Sequence, residues 1–366
     1  DIQSGVVSQI LAKTVIIASG GYAGIYANHT TNSYSNTADG IAMAYNAGCE
    51  LSNMEFIQFH PTTLENSNIL ISESARGEGG YLVNKDGKRF IDELKPRDEV
   101  SRAIYEYINK DHKVYLDLRH LGLDKIKEVM PQERTLALEF SNVKLESELL
   151  AITPAAHYSM GGIKTDINCK TNILNLYACG ECAQSFIHGA NRLGGNSLLE
   201  IVTFGKVAGI NASKEAQIMD DFISSNNTQF EKDKGLIEDI YSLPNKISFY
   251  QKKDYLGHLL FEDLGLFRSE SKMKNLLNKI DEITKDLPKM GIGDKSKEFN
   301  RNLVEFIEFK NSLEVSKIAT LCAINRKESR GSHYRVDYPN IEKEFEKCSL
   351  ILKNDDLMKI SFEELL

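Results

Sequence analysis

The feature that most constrains the fold is a change in sequence character near residue 226. Before it, glycine is frequent and short β-rich runs end in turns; after it, Lys and Glu are dense and glycine is sparse. The clearest apolar stripe after the change consists of Phe306, Phe309, Leu313, Val315, Ile318, Leu321 and Ile324. Because this spacing places apolar side chains on one helix face, residues after 226 are predicted to form a packing and docking bundle of helices.

The part before residue 226 is predicted to be an α/β structure. Residues 14–18 are a short β-rich run followed by Ser19, Gly20 and Gly21, as expected for a buried strand and a glycine turn. Residues 38–47 then predict a helix with Asp39 near its start, and residues 197–216 predict a second one after a glycine-rich loop. A length of 366 residues is compatible with two or three domains.

Composition excludes some classes of function. The formal net charge of -8 and pI of about 5.6 argue against a nucleic-acid partner, which usually requires a basic face. The six cysteines are spread thinly and form no disulfide framework, which favours a reducing compartment. No run of about 18 apolar residues is present, so no transmembrane helix is expected.

Four polar stretches stand out, and each contains a His or an Arg. They are residues 58–63 (QFHPTT), 72–80 (SESARGEGG), 155–162 (AAHYSMGG) and 188–200 (HGANRLGGNSLLE). Arg provides a bidentate fork and His a directed hydrogen bond, so the combination suits a compact anion. Singly, each stretch is weak: a lone His is usually structural, a glycine run is usually a turn, and an exposed Arg pair contributes about 0–1 kcal/mol.

Together and in this order, the four stretches resemble the flavoprotein subunit of fumarate reductase and succinate dehydrogenase, a group that includes L-aspartate oxidase. The likeness runs from about residue 8 to about residue 338. Residues 188–200 are its most specific part, and residues 76–80 and 328–333 support it independently. Cys179 and Cys182 have CxxC spacing, which alone is compatible with half a zinc site or a redox pair. No second CxxC completes a metal site, and within the resemblance both are interpreted as small buried fillers.

The resemblance implies an α/β + α fold with FAD as cofactor. It comprises part of an FAD-binding Rossmann-like domain (residues 1–50 and 157–220), an inserted α+β capping domain (51–156) and a C-terminal helical bundle (221–366). The GxGxxG fingerprint that seats the FAD pyrophosphate is absent from the sequence. We therefore expect an N-terminally truncated fragment that binds FAD weakly or not at all by itself.

The resemblance also implies a dicarboxylate site. His60 and the pair Ser72 and Glu73 are expected to bind one substrate carboxylate, with Ser72 standing where the family has Thr. His157 and Arg192 are expected to bind and polarise the other carboxylate. All five residues lie in the four polar stretches.

Further roles carried over from the family concern the proton and the flavin. Arg97 matches the proton-transferring arginine, although the loop before it is shorter than in many relatives, and Glu73 and Arg76 match the proton-relay positions. The positions matching residues that contact FAD are Asp39, Glu181, Ser197 and Leu198.

The function implied is interconversion of succinate and fumarate, by hydride transfer with FAD N5 and proton transfer by an arginine. The expected partners are an iron–sulfur subunit, with or without a membrane anchor, and the expected location is the cytoplasm or the periphery of the inner membrane. L-Aspartate oxidase is the alternative, although His157 to Met160 and Leu193 to Gly195 look more like the succinate/fumarate members. A catalytically inactive fragment or scaffold module is a second alternative, against which stands the presence of both Arg97 and Arg192.

Overall fold

The chain forms a mixed α/β structure in which short strands precede a long helical segment. The computed structural model describes residues 1–110, 112–219, 227–354 and 357–364. The strands are β1 (Val15–Ile17), β2 (Leu51–Ser52), β3 (Ile57–Leu64), β4 (Tyr81–Asn84), β5 (Val114–Asp117), β6 (Leu150–Ser159), β7 (Gly162–Lys164), β8 (Leu176–Ala178), β9 (Ala183–Gln184), β10 (Lys347–Asn354) and β11 (Leu357–Glu364). The helices are α1 (Asp39–Asn46), α2 (Ser74–Gly77), α3 (Arg97–Ile108), α4 (Gly122–Val129), α5 (Pro131–Ser141), α6 (Asn196–Ile218), α7 (Thr228–Ser242), α8 (Phe249–Asp263), α9 (Glu270–Asp286) and α10 (Arg301–Asn325).

The two predicted helices of the first part are present. Helix α1 begins at Asp39, and α6 begins at Asn196 after the glycine pair Gly194 and Gly195. Strand β1 pairs in parallel with β8, which joins the two halves of the predicted FAD-binding segment although more than 150 residues separate them in sequence. None of the described helices is both long enough and apolar enough to cross a membrane.

A separate antiparallel layer forms between these two halves. Its four strands follow the order β3-β6-β5-β4, and helix α3 packs against β3. This layer has its own apolar core, which includes Leu82, Leu116, Ile126 and Leu150. A second apolar core combines α1 with the helices of the second part of the chain. Strand β3 and helix α3 contribute side chains to this second core and thereby connect the antiparallel layer to it.

Helices α8, α9 and α10 dominate the second part of the chain. Each begins with a side-chain cap: Ser248, Ser269 and Asn300 accept hydrogen bonds from backbone N–H groups three residues further on. The predicted stripe on α10 is largely buried and shares one core with α1 and residues 22–26. The predicted boundary between residues 220 and 221 lies outside the described residues.

The end of the chain differs from the predicted helical bundle. Strands β10 and β11 form an antiparallel hairpin that extends a five-stranded sheet in the order β11-β10-β2-β7-β9. Cys348, Leu350 and Ile351 are buried there, as expected for a strand covered on both faces. The dense Lys and Glu residues of this segment predicted a helix. The segment instead forms strands, because β10 pairs with β2.

A buried ionic network holds the hairpin against the rest of the molecule. Arg326 Nε donates to Glu55 Oε1 (2.6 Å) and Arg326 Nη1 donates to Glu328 Oε1 (3.0 Å), and these side chains have no exposed surface. Ser349 of β10 donates its hydroxyl to Glu55 Oε2 at 2.7 Å. The three buried charges, on Arg326, Glu55 and Glu328, are therefore paired and hydrogen-bonded, which is the condition under which burial of charge is tolerated.

Candidate active site

Strand β3 places two polar side chains side by side in the interior. Gln58 and His60 are two residues apart, so they point to the same face of the strand, and both are almost fully buried. The end of β6 runs antiparallel to β3 and brings His157 next to His60, with 5.1 Å between the ring centroids. In both rings Nδ1 has a partner, from Thr62 for His60 and from Thr31 for His157, which leaves Nε2 for a ligand.

Two arginines approach the same place from other elements. Arg97 is the first residue of α3, where Nη2 donates to Glu73 Oε2 (2.6 Å) and Nη1 donates to Gln58 Oε1 (3.0 Å). Arg192 comes from the loop before α6, and Gln58 Nε2 donates to its backbone carbonyl at 2.7 Å. Gln58 thus connects the two arginines through one amide group.

We call His60, Arg97, His157 and Arg192 the His/Arg cluster. Burial and the charges of Arg97 and Arg192 lower the pKa of His157 to about 3. Burial, His157 and Arg97 likewise hold the pKa of His60 well below its usual value. At neutral pH the cluster therefore combines two neutral imidazoles with two cations and carries a net positive charge.

Arg192 has unused hydrogen-bonding capacity inside the protein. Its exposed fraction is only 4%, yet Nε has no hydrogen-bond partner among the described residues, and Nη1 donates only to the carbonyl of Leu193, at 3.2 Å. Leaving a buried donor unsatisfied costs about 1–3 kcal/mol or more for a charged group. A guanidinium in this situation can bind an anion, because a carboxylate can accept two parallel N–H bonds from it.

Arg76 and Ser72 flank the cluster. Arg76 Nη2 donates to Glu73 Oε1 (3.3 Å), and the other carboxylate oxygen of Glu73 accepts from Arg97, so Glu73 bridges the two arginines. Burial alone would raise the pKa of Glu73, but the hydrogen bond and charge of Arg97 outweigh it and lower this pKa. The Ser72 hydroxyl lies at the start of the same turn and accepts from Ser74 N (3.2 Å).

The four predicted flavin positions do not behave alike. Glu181 Oε1 accepts from the backbone N–H (2.9 Å) and the hydroxyl (3.1 Å) of Ser159, and burial raises the pKa of Glu181 to about 7. Ser197 and Leu198 lie in the first turn of α6. Asp39 instead accepts hydrogen bonds from Thr37 and from Asn311 of α10, so its described contacts lie outside the His/Arg cluster.

The surroundings of Glu181 and the start of α6 fit a flavin nucleotide. The backbone at Gly21 lies so close to Ser159 Oγ and Glu181 Oε1 that a Cβ atom at this position would overlap both. Gly195 has φ = 82° and starts α6, whose first N–H groups can receive anionic or carbonyl oxygens. Leu193 and Leu198 are 73% and 68% exposed beside this helix start, which provides apolar surface for a ring system to cover.

Sequence reasoning assigned no role to several residues that complete the site. Gln58 lies two positions before His60 in the polar stretch 58–63, a spacing that places both side chains on one face if the stretch is a strand. Asn191 Nδ2 donates to Asp98 Oδ1 (2.7 Å) and its Oδ1 accepts from Gln58, a link between distant segments that no local signal reveals. Tyr158 packs its ring against the Arg192 guanidinium, with the Cζ atom 4.1 Å from the ring centroid.

The fold and this site are those of a flavin-nucleotide-binding protein that also buries an arginine whose Nε has no partner among the described residues. Residues 1–198 match the family model described as the FAD binding domain, and residues 253–365 match the model described as the fumarate reductase flavoprotein C-terminal region. The chain therefore belongs to the fumarate reductase flavoprotein family and has an FAD-binding fold.

Individual relatives agree with this assignment. The fumarate reductase flavoprotein subunit of Serratia sp. is 38% identical over 92% of this chain and 61% of its own length. An FAD-dependent oxidoreductase of Methanocaldococcus jannaschii is 38% identical over 100% of this chain and 67% of its own length. The solved structure of Escherichia coli quinol fumarate reductase matches with a TM-score of 0.94 and 35% identity, over 100% of this chain and 67% of that chain. The chain thus spans about three fifths of the Serratia relative.

Proposed function

We propose that this chain carries the substrate-binding and proton-transferring groups of a flavoprotein that interconverts succinate and fumarate. The observation that carries the proposal is the buried, incompletely bonded Arg192 in a cluster with two neutral imidazoles. Family membership supports the choice of a dicarboxylate among small anions, because several relatives are named fumarate reductase or succinate dehydrogenase flavoprotein subunits.

The cluster can hold both ends of a C4 dicarboxylate. In this proposal Arg192 and His157 bind one carboxylate, whereas His60 and the Ser72 hydroxyl bind the other. Glu73, which was expected from the sequence to bind this carboxylate, is not assigned to it in the proposal. Its two oxygens already bond to Arg76 and Arg97, and its ionised form would repel a second carboxylate. Holding both carboxylates fixes the orientation of the carbon–carbon double bond. The reacting groups are then already aligned and do not depend on a random encounter.

Arg192 also supports the chemistry of reduction. When bound, FAD would supply a hydride to one alkene carbon of fumarate, or accept it from the corresponding carbon of succinate. Arg192 and His157 would hold the carboxylate onto which the resulting negative charge is delocalised. Fixed donors in a buried site stabilise such charge strongly, because they need little reorganisation.

Arg97 is positioned for the proton at the other carbon. Its guanidinium forms two hydrogen bonds with Glu73, at 3.1 Å and 2.6 Å, and the Glu73 side chain is 40% exposed. Glu73 can therefore pass a proton from solvent to Arg97 after each turnover, with Arg76 as its second partner. An arginine is a plausible acid here because the acceptor is a carbanion-like carbon that is far more basic than water.

We further propose that electrons are exchanged with an iron–sulfur partner, with or without a membrane anchor. The names of the relatives support a partner, since they describe flavoprotein subunits, and some of them include a quinol, such as 8-methylmenaquinol:fumarate reductase and quinol-fumarate reductase.

The proposal is tested with the full-length, FAD-loaded protein and reduced viologen as electron donor. We expect fumarate-dependent viologen oxidation and no oxidation of L-aspartate, which separates the proposal from an L-aspartate oxidase. Arg192→Gln is expected to abolish turnover, whereas Arg301→Gln is the matched control, because the Arg301 side chain is 83% exposed on α10. Wild-type activity in the Arg192 variant, or turnover of L-aspartate in place of fumarate, contradicts the proposal.

A further inference from the structure

A buried hydrogen-bonded group lies directly behind Arg192. Glu200 of α6 accepts hydrogen bonds from the Tyr158 hydroxyl (2.5 Å) and contacts His188 Nε2 (2.8 Å). Glu200 and Tyr158 are 3% and 5% exposed, so the group is shielded from water. We call Tyr158, His188 and Glu200 the Glu200 network.

The Tyr158 ring is fixed by contacts on several sides. The His188 ring meets it edge-on with 5.6 Å between centroids, and Phe56 and Met160 pack in the same small apolar cluster. One face of the ring remains for Arg192, whose Cζ atom lies 4.1 Å from the centroid. The orientation of the Tyr158 ring therefore sets the plane on which the guanidinium rests.

The network contacts the Arg192 guanidinium through the face of an aromatic ring and does not occupy its N–H groups. A carboxylate in direct contact with the guanidinium would compete with a substrate carboxylate for the same donors. Glu200 is instead separated from Arg192 by one aromatic ring, and its hydrogen bond to the phenol shifts electron density onto that ring. Burial and the Glu200 charge raise the pKa of Tyr158, so the phenol keeps its proton and remains the donor.

We propose that Glu200, through Tyr158 and with His188, positions Arg192 for binding and polarising a substrate carboxylate. The inference rests on the function proposed above and adds three positioning residues to it. A cation–π contact contributes about 0.5 to 2 kcal/mol, equivalent to about twofold to thirtyfold in affinity. That range bounds the expected effect of disturbing the network.

The test uses the full-length, FAD-loaded protein. Malonate is titrated while the flavin absorbance is followed, and KM and kcat for fumarate are measured with reduced viologen. For Glu200→Gln and Tyr158→Phe we expect malonate to bind about twofold to thirtyfold more weakly, with a lower kcat.

The matched control is Glu215→Gln, which alters another carboxylate of α6, paired with Lys170 at the surface. It should leave malonate binding, kcat and thermal unfolding unchanged. In an Arg192→Lys background, Glu200→Gln should add little to the loss of malonate affinity, because the two residues act as one unit.

Each alternative outcome is decisive. A purely structural role for the network predicts full additivity with Arg192→Lys, and that result overturns the inference. Wild-type malonate affinity and kcat in both network variants also overturn it while leaving the proposed function intact. A wild-type protein that neither binds malonate nor reduces fumarate overturns the proposed function, and the inference with it.

Discussion

The neutral state of His157 makes stability depend on pH in a calculable way. Its folded-state pKa of about 3 lies below the unfolded value of about 6.5. As pH falls, the unfolded chain therefore binds the proton first, so stability is present above pH ~6.5 and is lost progressively toward pH ~3. Between pH 7 and pH 5 this single group should remove about 2 kcal/mol from the free energy of unfolding.

The assay is urea unfolding at pH 7 and pH 5, followed by far-ultraviolet circular dichroism. His157→Gln cannot gain a proton, so we expect it to lose about 2 kcal/mol less than the wild type over this interval. His112→Gln, whose ring lies near Tyr107 and outside the cluster, should behave as the wild type. Equal pH-dependent losses in the wild type and His157→Gln would refute the claim that burial and the two arginines keep this imidazole neutral.

Three other substitutions probe separate parts of the account. Arg97→Lys should lower kcat for fumarate by about 10²- to 10⁴-fold with little change in urea unfolding, because the ammonium cannot reproduce the position and hydrogen bonds of the guanidinium while the fold is retained. Gly21→Ala should reduce the flavin content of the purified full-length protein, since the new methyl group displaces Glu181. Arg326→Met should cost about 3–5 kcal/mol in urea unfolding, because it leaves Glu55 buried and unpaired.

The chain offers a control for two of these changes. Gly209→Ala adds a methyl group to α6, where nothing lies within 4 Å of the new Cβ, so flavin content should not change. Arg301→Met removes an exposed arginine of α10 and should stay within about 0.5 kcal/mol of the wild type. Near-normal turnover in Arg97→Lys would remove Arg97 from the mechanism. Loss of flavin in both Gly21→Ala and Gly209→Ala would contradict the explanation given for Gly21. Equal stability of Arg326→Met and Arg301→Met would contradict the explanation given for Arg326.

Features set by local spacing could be predicted from the sequence. The apolar stripe of α10 is a consequence of helical periodicity, and the glycine pair before α6 marks where that helix begins. The convergence of His60, Arg97, His157 and Arg192 was predicted from motif order and resemblance, and these residues do lie together. Their roles in binding and catalysis remain predictions.

Features set by tertiary pairing could not be predicted in this way. The hairpin of β10 and β11 exists because β2 offers an edge about 300 residues earlier in the sequence. The Lys and Glu residues around it carry no signal of that pairing. Similarly, the contacts of Asp39 with Asn311, and of Tyr158 with Arg192, depend on how separate elements pack. A residue type and its spacing indicate what a side chain can bind, but packing decides which partner it has.

The most direct test of the central claim is a crystal structure of the full-length, FAD-loaded protein with malonate. The account predicts one carboxylate within about 2.7–2.9 Å of Arg192 nitrogen atoms and near His157, and the other carboxylate near His60 and Ser72. Malonate bound away from these residues, or held with Arg192 still lacking an anionic partner, would contradict the account.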